Sequence, residues 1–190
     1  MADNVNKRLL ILGAGGLGRM TLETALSLGY ECFFLDDNVN IKKTCDTMVL
    51  GTLKELGLFV GEFQYCICAI GNNKIREEYT NCALSLGFIV PNIVSKTAYV
   101  SRYSKMGYGN ILLNNVCVQN GSALGNGVVV TANSEIHHDC IIEDYSLIYS
   151  CSVVRTFARI GKNVTIGSTV TISNSSIVPN NSVVADGSVL

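Results

Sequence analysis

Ile136-His137-His138-Asp139-Cys140-Ile141-Ile142-Glu143-Asp144-Tyr145-Ser146-Leu147-Ile148 carries an isoleucine at every sixth position, and the spacing continues in both directions. Towards the N-terminus it runs through Val130, Leu124, Val118, Leu112, Met106 and Val100 to Val94. Towards the C-terminus it runs through Val154, Ile160, Ile166, Ile172, Val178 and Val184 to Leu190. Four residues beyond many of these lies a small one, among them Ala98, Ser104, Ser122, Ser134, Cys140, Ser146, Ser152 and Ala158. An α-helix repeats every 3.6 residues and an ordinary strand every two, so neither accounts for strict sixes. Each hexad instead forms one short flat strand and a corner, and three hexads close a triangular coil. Stacked coils then bury the aliphatic residues in continuous ladders. The fold read from the sequence is therefore a left-handed parallel β-helix of hexapeptide repeats over 93–190, preceded by an α/β half-Rossmann unit over 1–92.

The remaining composition narrows the function. With 190 residues and a net charge of −1, the chain has no electrostatic footprint for nucleic acid or an anionic membrane. No apolar run reaches the length of a membrane span, and Leu9 to Leu12 is too short for a signal-peptide core. The mean hydropathy of +0.32 reflects a large core. Eight cysteines are scattered through apolar stretches, which fits buried, reduced thiols in a cytoplasmic protein better than a disulfide scaffold. No Cys-x-x-Cys occurs, and Cys66 and Cys68 alternate across a strand, so no metal is expected.

The first ninety residues read as strand, glycine turn and helix. Arg8 to Leu12 leads into Gly13-Ala14-Gly15-Gly16-Leu17-Gly18, followed by an amphipathic stretch from Arg19 to Leu28. A second strand, Cys32 to Leu35, ends in Asp36-Asp37, and a third, Tyr65 to Ile70, ends in Gly71-Asn72-Asn73 before a helical stretch from Lys74 to Leu86. Glycines admit a phosphate to the backbone at a helix N-terminus, and an acidic residue after the second strand can accept from a ribose or base. The unit is long enough for a βαβαβ half but too short for a full dinucleotide domain, so a nucleotide carrying a sugar fits better than NAD. Against this stand two plainer readings, in which Asn72 is a helix cap and Asp36 and Asp37 are a solvated strand end.

The sequence has two histidines, His137 and His138. The six-residue register turns Ile136 and Cys140 inward and leaves His138 at a corner, free to project, with Asp139 beside it. Imidazole titrates near neutrality and can take a proton from an amine or hydroxyl attacking a thioester. Two neighbouring histidines cannot supply the three ligands of a zinc-dependent hexapeptide enzyme.

Taken together, the glycine turn, Asp36-Asp37, Ala69-Ile70-Gly71-Asn72-Asn73-Lys74-Ile75-Arg76 and Ile136-His137-His138-Asp139-Cys140 resemble the bacterial nucleotide-sugar acetyltransferases. That family is related to sialic-acid O-acetyltransferases and UDP-4-amino-sugar N-acetyltransferases. The resemblance implies a homotrimer with active sites between subunits, acetyl-CoA as co-substrate, no metal and a nucleotide-sugar acceptor. It implies His138 as general base, Asp139 as the group raising its basicity, and the Thr156 backbone N–H as oxyanion donor. Gly15, Gly16, Leu17, Asp36, Asp37, Gly71 and Asn72 would surround the sugar nucleotide, and Leu147, Ser150, Ser168 and Asp186 the CoA arm. Leu17 and Leu147 stand where family members often carry histidine, and relatives usually continue past the position of Leu190 with a tail over CoA. The acceptor class, amine or hydroxyl, stays open, as does the nucleotide. The rival readings are a catalytically weak sugar-nucleotide-binding protein and a small NAD-dependent oxidoreductase.

Overall fold

The computed structural model describes residues 7–190; residues 1–6, where the sequence-delimited N-terminal unit begins, lie outside the described residues. The N-terminal unit opens with β1 (Lys7–Leu12), α1 (Gly16–Ser27) and β2 (Tyr30–Leu35), and β2 pairs parallel to β1. A hairpin of β3 (Lys43–Thr44) and β4 (Thr47–Gly51), a 3₁₀ turn over Leu53–Phe59, β5 (Tyr65–Cys68) and α2 (Asn73–Ser85) complete it. The strand order is β3-β4-β2-β1-β5, with only β3 antiparallel. Leu9, Leu10, Ile11 and Leu12 are all fully buried, as expected for a strand inside a parallel sheet covered on both faces. The β3–β4 hairpin goes beyond the βαβαβ expectation. Its turn places Cys45 and Asp46 at φ 45° and 58°, the two positive values that this tight hairpin turn needs, without the glycine that usually announces it.

From Ile93 the chain winds into the β-helix, built of two-residue strands stacked in three parallel sheets. The first face stacks Ile93–Val94, Ile111–Leu112, Val129–Val130, Leu147–Ile148, Thr165–Ile166 and Val183–Val184. The second stacks Tyr99–Val100, Cys117–Val118, Glu135–Ile136, Val153–Val154 and Thr171–Ile172, and the third Lys105–Met106, Ala123–Leu124, Ile141–Ile142, Arg159–Ile160 and Ile177–Val178. The second residue of each strand is the sixfold aliphatic one and points into the prism. From Leu112 to Val184 all of them are buried, whereas Val94, Val100 and Met106 are half-buried and Leu190 is exposed. Between the ladders sit buried serines. Ser122, Ser146 and Ser152 each donate to a carbonyl fifteen residues on and accept an N–H eighteen residues on, satisfying corner backbone that the prism hides from water.

The N-terminal unit covers the first face. The outward residues Ile93, Ile111 and Val129 are fully buried there and Leu147 retains 2 % of its surface; all four belong to the core of the N-terminal unit. Leu147 was expected beside the CoA arm, and this burial corrects that placement. Its side chain is packed between the two parts of the chain.

Polar groups fix the docking. Arg76 is fully buried, and every polar group it meets is an uncharged oxygen. Its Nε donates to Gly127 O (2.9 Å), Nη1 to Ile70 O (2.8 Å) and Gly71 O (3.4 Å), and Nη2 to Asn73 Oδ1 (2.8 Å) and Tyr145 O (2.7 Å). Burial pushes the guanidinium down to about 10, which still leaves it charged at neutral pH. Asn73 Nδ2 donates to Val164 O and Thr165 Oγ1 (both 3.1 Å), and Glu77 pairs with Lys162 at the rim.

Candidate active site

His138 lies on the edge that joins the second and third faces, opposite the face covered by the N-terminal unit. Its corner is pinned from both sides by one serine: Ser122 Oγ donates to His137 O (2.7 Å) and accepts from Cys140 N (3.1 Å). Gln119 Oε1 accepts from His138 N at 3.1 Å. Cys140 points inward, its Sγ 3.2 Å from Arg155 O, and burial raises its thiol pKa, which keeps it out of nucleophilic chemistry. With the flanks fixed, Asp139 takes the left-handed conformation, φ 60°, which brings its carboxylate alongside the imidazole. Asp139 Oδ2 lies 2.8 Å from His138 Nδ1, and both side chains are about half exposed (46 % and 48 %).

The space for that carboxylate comes from the coil before it. Gly121 sits at φ 72°, and a Cβ there would overlap Asp139 Oδ1. On the coil after it, Thr156 Oγ1 lies 3.3 Å from His138 Nε2, and the Phe157 ring stands edge-on to the imidazole with centroids 5.8 Å apart. Among the described residues the Thr156 backbone N–H has no hydrogen-bond acceptor. The corner thus offers an oriented imidazole and a free backbone donor on one outer surface. His137 turns instead to Glu135 Oε2 (3.4 Å).

At the carboxyl edge of the N-terminal sheet the glycine turn and the Ile70-Gly71-Asn72 loop lie together. A Cβ on Gly13, at φ 100°, would fall 2.8 Å from Ile70 Cγ1, and one on Gly18 would collide with the Gly13 carbonyl, so both glycines serve the packing of the turn. Gly15 and Gly16 differ. An added Cβ on either meets nothing within 4 Å, and neither has a positive φ. They also open α1, whose N-cap Gly15 provides no side-chain oxygen and whose first turn holds no acid. These exposed N–H groups and the helix dipole form a surface suited to an anion.

The acidic pair is occupied by backbone. Asp36 accepts from Ala14 N (2.7 Å) and Asn38 N (2.8 Å), tying the glycine turn to the end of β2, and Asp37 accepts from Leu53 N (3.0 Å). Asn72 is the N-cap of α2, its Oδ1 receiving Lys74 N and Ile75 N (both 3.1 Å). These three therefore shape the edge by holding loops, and Asn72 retains its Nδ2 as a donor. Leu17 is half-buried against the N-terminal core.

Ser150, Ser168 and Asp186 stack on a different edge, the one joining the first and second faces. Ser150 Oγ meets Thr131 Oγ1 (2.9 Å), and Asp186 Oδ1 accepts from Ser168 N (2.7 Å). Within one chain this edge lies beside the Gly71 loop, and no hydrogen bond or ring contact among the described residues joins either to His138 or Thr156.

Sequence reading missed Tyr149. It projects from this same edge with 41 % of its surface exposed, and its hydroxyl lies 3.9 Å from where a Gly71 Cβ would stand, with no hydrogen-bond partner among the described residues. An outward aromatic one residue after an inward Ile148 was the available signal. Gln119, Gly121, Phe157 and Arg76 were also missed, because each acts across an eighteen-residue coil or across the junction between the two parts. Among the described residues no cluster of three or more His, Cys, Asp or Glu side chains is placed to hold a metal ion.

Comparison with known proteins agrees with both parts of the fold. A family model, the PglD N-terminal domain, matches residues 8–82. The acetyltransferase domain of PglB from Neisseria gonorrhoeae FA1090, solved in complex with acetyl coenzyme A, is 31 % identical with a TM-score of 0.91, over 96 % of this chain and 89 % of that one. PerB from Caulobacter crescentus, solved with CoA and GDP-perosamine, shares the fold at 19 % identity and a TM-score of 0.90, over 96 % of this chain and 87 % of that one. WeeI from Acinetobacter baumannii AYE shares it at 19 % identity and a TM-score of 0.70, over 95 % and 94 % respectively.

Proposed function

This chain belongs to the family of bacterial nucleotide-sugar acetyltransferases, and from that premise we propose that it moves the acetyl group of acetyl-CoA onto the amino group of a nucleotide-linked 4-amino sugar, with His138 as the base. The observation that carries the reading is the His138–Asp139 contact of 2.8 Å on an outer edge of the β-helix, beside the Thr156 N–H, which has no acceptor among the described residues. A carboxylate only accepts, so the Nδ1 facing it carries the ring proton and Nε2 keeps the lone pair. Nε2 then takes a proton as the amine attacks the thioester carbonyl, and the imidazolium returns it to the departing sulfur. The Thr156 N–H is aimed to hydrogen-bond the developing oxyanion, an interaction worth about 3–4 kcal/mol when such a donor is removed.

The proposed division of labour gives 1–92 the sugar nucleotide and 93–190 the acetyl transfer. Gly15 and Gly16 face the diphosphate, Gly71, Asn72 and Tyr149 border it, and Asp36 and Asp37 hold the surrounding loops. Ser150, Ser168 and Asp186 line the path of the CoA arm. A UDP sugar is the preferred substrate in this reading, by family likeness.

The separation of the two half-sites supports assembly between copies. In one chain the nucleotide edge and the His138 edge flank different sides of the prism, so the acceptor held by one subunit meets the base of its neighbour. We therefore infer a homotrimer with its active sites between subunits. No helix among the described residues is long and apolar enough to cross a membrane.

The test measures thiol release with acetyl-CoA and a panel of amino-sugar nucleotides. Release that needs both substrates and falls by about 10²-fold or more in His138→Ala supports the reading. Full turnover by His138→Ala rejects the base, and sugar-nucleotide binding without acetyl-CoA binding rejects the enzyme.

A further inference from the structure

The Thr156 hydroxyl stands on the one nitrogen that the mechanism needs free. Asp139 Oδ2 at 2.8 Å fixes the ring proton on Nδ1, which leaves Nε2 an acceptor, and Thr156 Oγ1 lies 3.3 Å from it. Among the described residues Nε2 has no other partner, and the only hydrogen that the hydroxyl can offer points at it. With its hydrogen on Nε2, Oγ1 keeps its lone pairs for another donor. With Thr156 Oγ1 3.3 Å from Nε2, the hydroxyl is placed to lie between the imidazole and a donor brought to it.

We propose that Thr156 is a catalytic proton relay: the acceptor amine delivers its proton to Thr156 Oγ1 while Oγ1 delivers its own to His138 Nε2. This rests on His138 being the base. The amine nitrogen forms a bond to the thioester carbonyl carbon, one N–H proton passes to Oγ1, and the hydroxyl proton passes to Nε2, giving an imidazolium. When the tetrahedral intermediate collapses, the C–S bond breaks and the sulfur leaves with the bonding pair. The imidazolium proton returns through the same hydroxyl to that sulfur. Amide and thiol are the products, and Thr156 and His138 are both restored. The backbone N–H of Thr156 plays its own part towards the oxyanion and is untouched by any change of side chain.

Two roles predict opposite signs. A hydroxyl that merely blocks Nε2 must be pushed aside at a cost, so removing it leaves the rate unchanged or raises it; a relay loses rate. Thr156→Val keeps the branched shape without the hydroxyl, and the relay predicts a kcat lower by about tenfold or more with the sugar-nucleotide KM little changed. Thr156→Ser, which keeps the hydroxyl, recovers most of the rate. A proton inventory of the wild-type enzyme in mixtures of light and heavy water should bow, since two protons move together, and should straighten in Thr156→Ala. A kcat for Thr156→Val within about threefold of wild type, or above it, overturns the relay, as does a linear wild-type inventory; the inventory decides even if the valine variant folds poorly. Loss of turnover in His138→Ala alongside an active Thr156→Val removes the relay and leaves the base standing. Full activity in His138→Ala removes both.

Discussion

Replacing Arg76 by methionine tests whether the two parts of the chain are one mechanical body. The side chain is fully buried, and its five N–H groups reach Gly127 O, Tyr145 O, Ile70 O, Gly71 O and Asn73 Oδ1. Methionine fills much of the volume and donates nothing. Four close acceptors, all but the 3.4 Å contact to Gly71, then lie under the junction without a donor. Hydrogen bonds to a charged group are each worth about 1.5–3 kcal/mol, and losing all four would total roughly 6–12 kcal/mol. The folded wild type also bears the cost of desolvating the guanidinium, visible as its lowered pKa, and that cost of several kcal/mol disappears in the variant. A net loss of about 3–5 kcal/mol is the expected balance, a large share of the usual 5–15 kcal/mol of a domain. The chain has no tryptophan, so urea unfolding is followed by far-UV circular dichroism and tyrosine emission. Besides an earlier midpoint, Arg76→Met should split the curve, with the N-terminal unit melting before the β-helix, because the junction no longer couples them. A single transition within about 0.5 kcal/mol of wild type would refute the role of Arg76 as the clamp.

Further predictions concern the His138 corner and the carboxyl edge of the N-terminal sheet. Gly121→Ala puts a methyl group into the Asp139 carboxylate at a φ of 72°; about 1–2 kcal/mol of stability should go, read by thermal melting, and kcat should fall further than that loss explains. Tyr149→Phe should raise the Kd for the sugar nucleotide by about fivefold, one neutral hydrogen bond, in calorimetry, while leaving the acetyl-CoA Kd alone. Gly16→Ala and Gly18→Ala should separate binding from folding. The first faces open space and should keep its melting temperature while weakening sugar-nucleotide affinity, and the second drives a methyl into the Gly13 carbonyl and should lower the melting temperature by several degrees.

The β-helix was legible because every inward position obeys one period, and a single register then decided that Ile136 and Cys140 face the core while His138 does not. The strands and helices of the N-terminal unit were legible from the glycine turn and the apolar runs. The β3–β4 hairpin was not, since Cys45 and Asp46 hold its positive φ values without glycine. The docking of the two parts was harder still, although a signal existed. Ile93, Ile111, Val129 and Leu147 are outward residues eighteen apart, an unbroken run of four large aliphatics that neither other face has, and a free prism face has no reason for such a stripe. Leu147 was read by likeness to a histidine position and so placed beside CoA, when its periodicity with the other three assigns it to the junction. Asp36 and Asn72 each had two readings in sequence, ligand contact or plain strand end and helix cap; the cap bonds of Asn72 are local and legible, whereas the bond from Ala14 N to Asp36, twenty-two residues away, exists only once the sheet has formed.

The aliphatic stripe also makes the β-helix a ruler. The N-terminal unit is seated on particular coils, and successive coils are spaced as neighbouring strands are, about 4.8 Å apart. Insertion or deletion of eighteen residues between the stripe and Ile136 would leave every ladder in step and move His138 along the prism by one graduation. Distances between the glycine turn proposed to hold the sugar nucleotide and the His138 corner proposed to transfer the acetyl group can therefore change in this architecture only by whole coils, and a relative that accepts a longer or shorter acceptor is expected to differ by eighteen residues, or by the identity of side chains such as Thr156 and Phe157 that fill the fraction of a step left over.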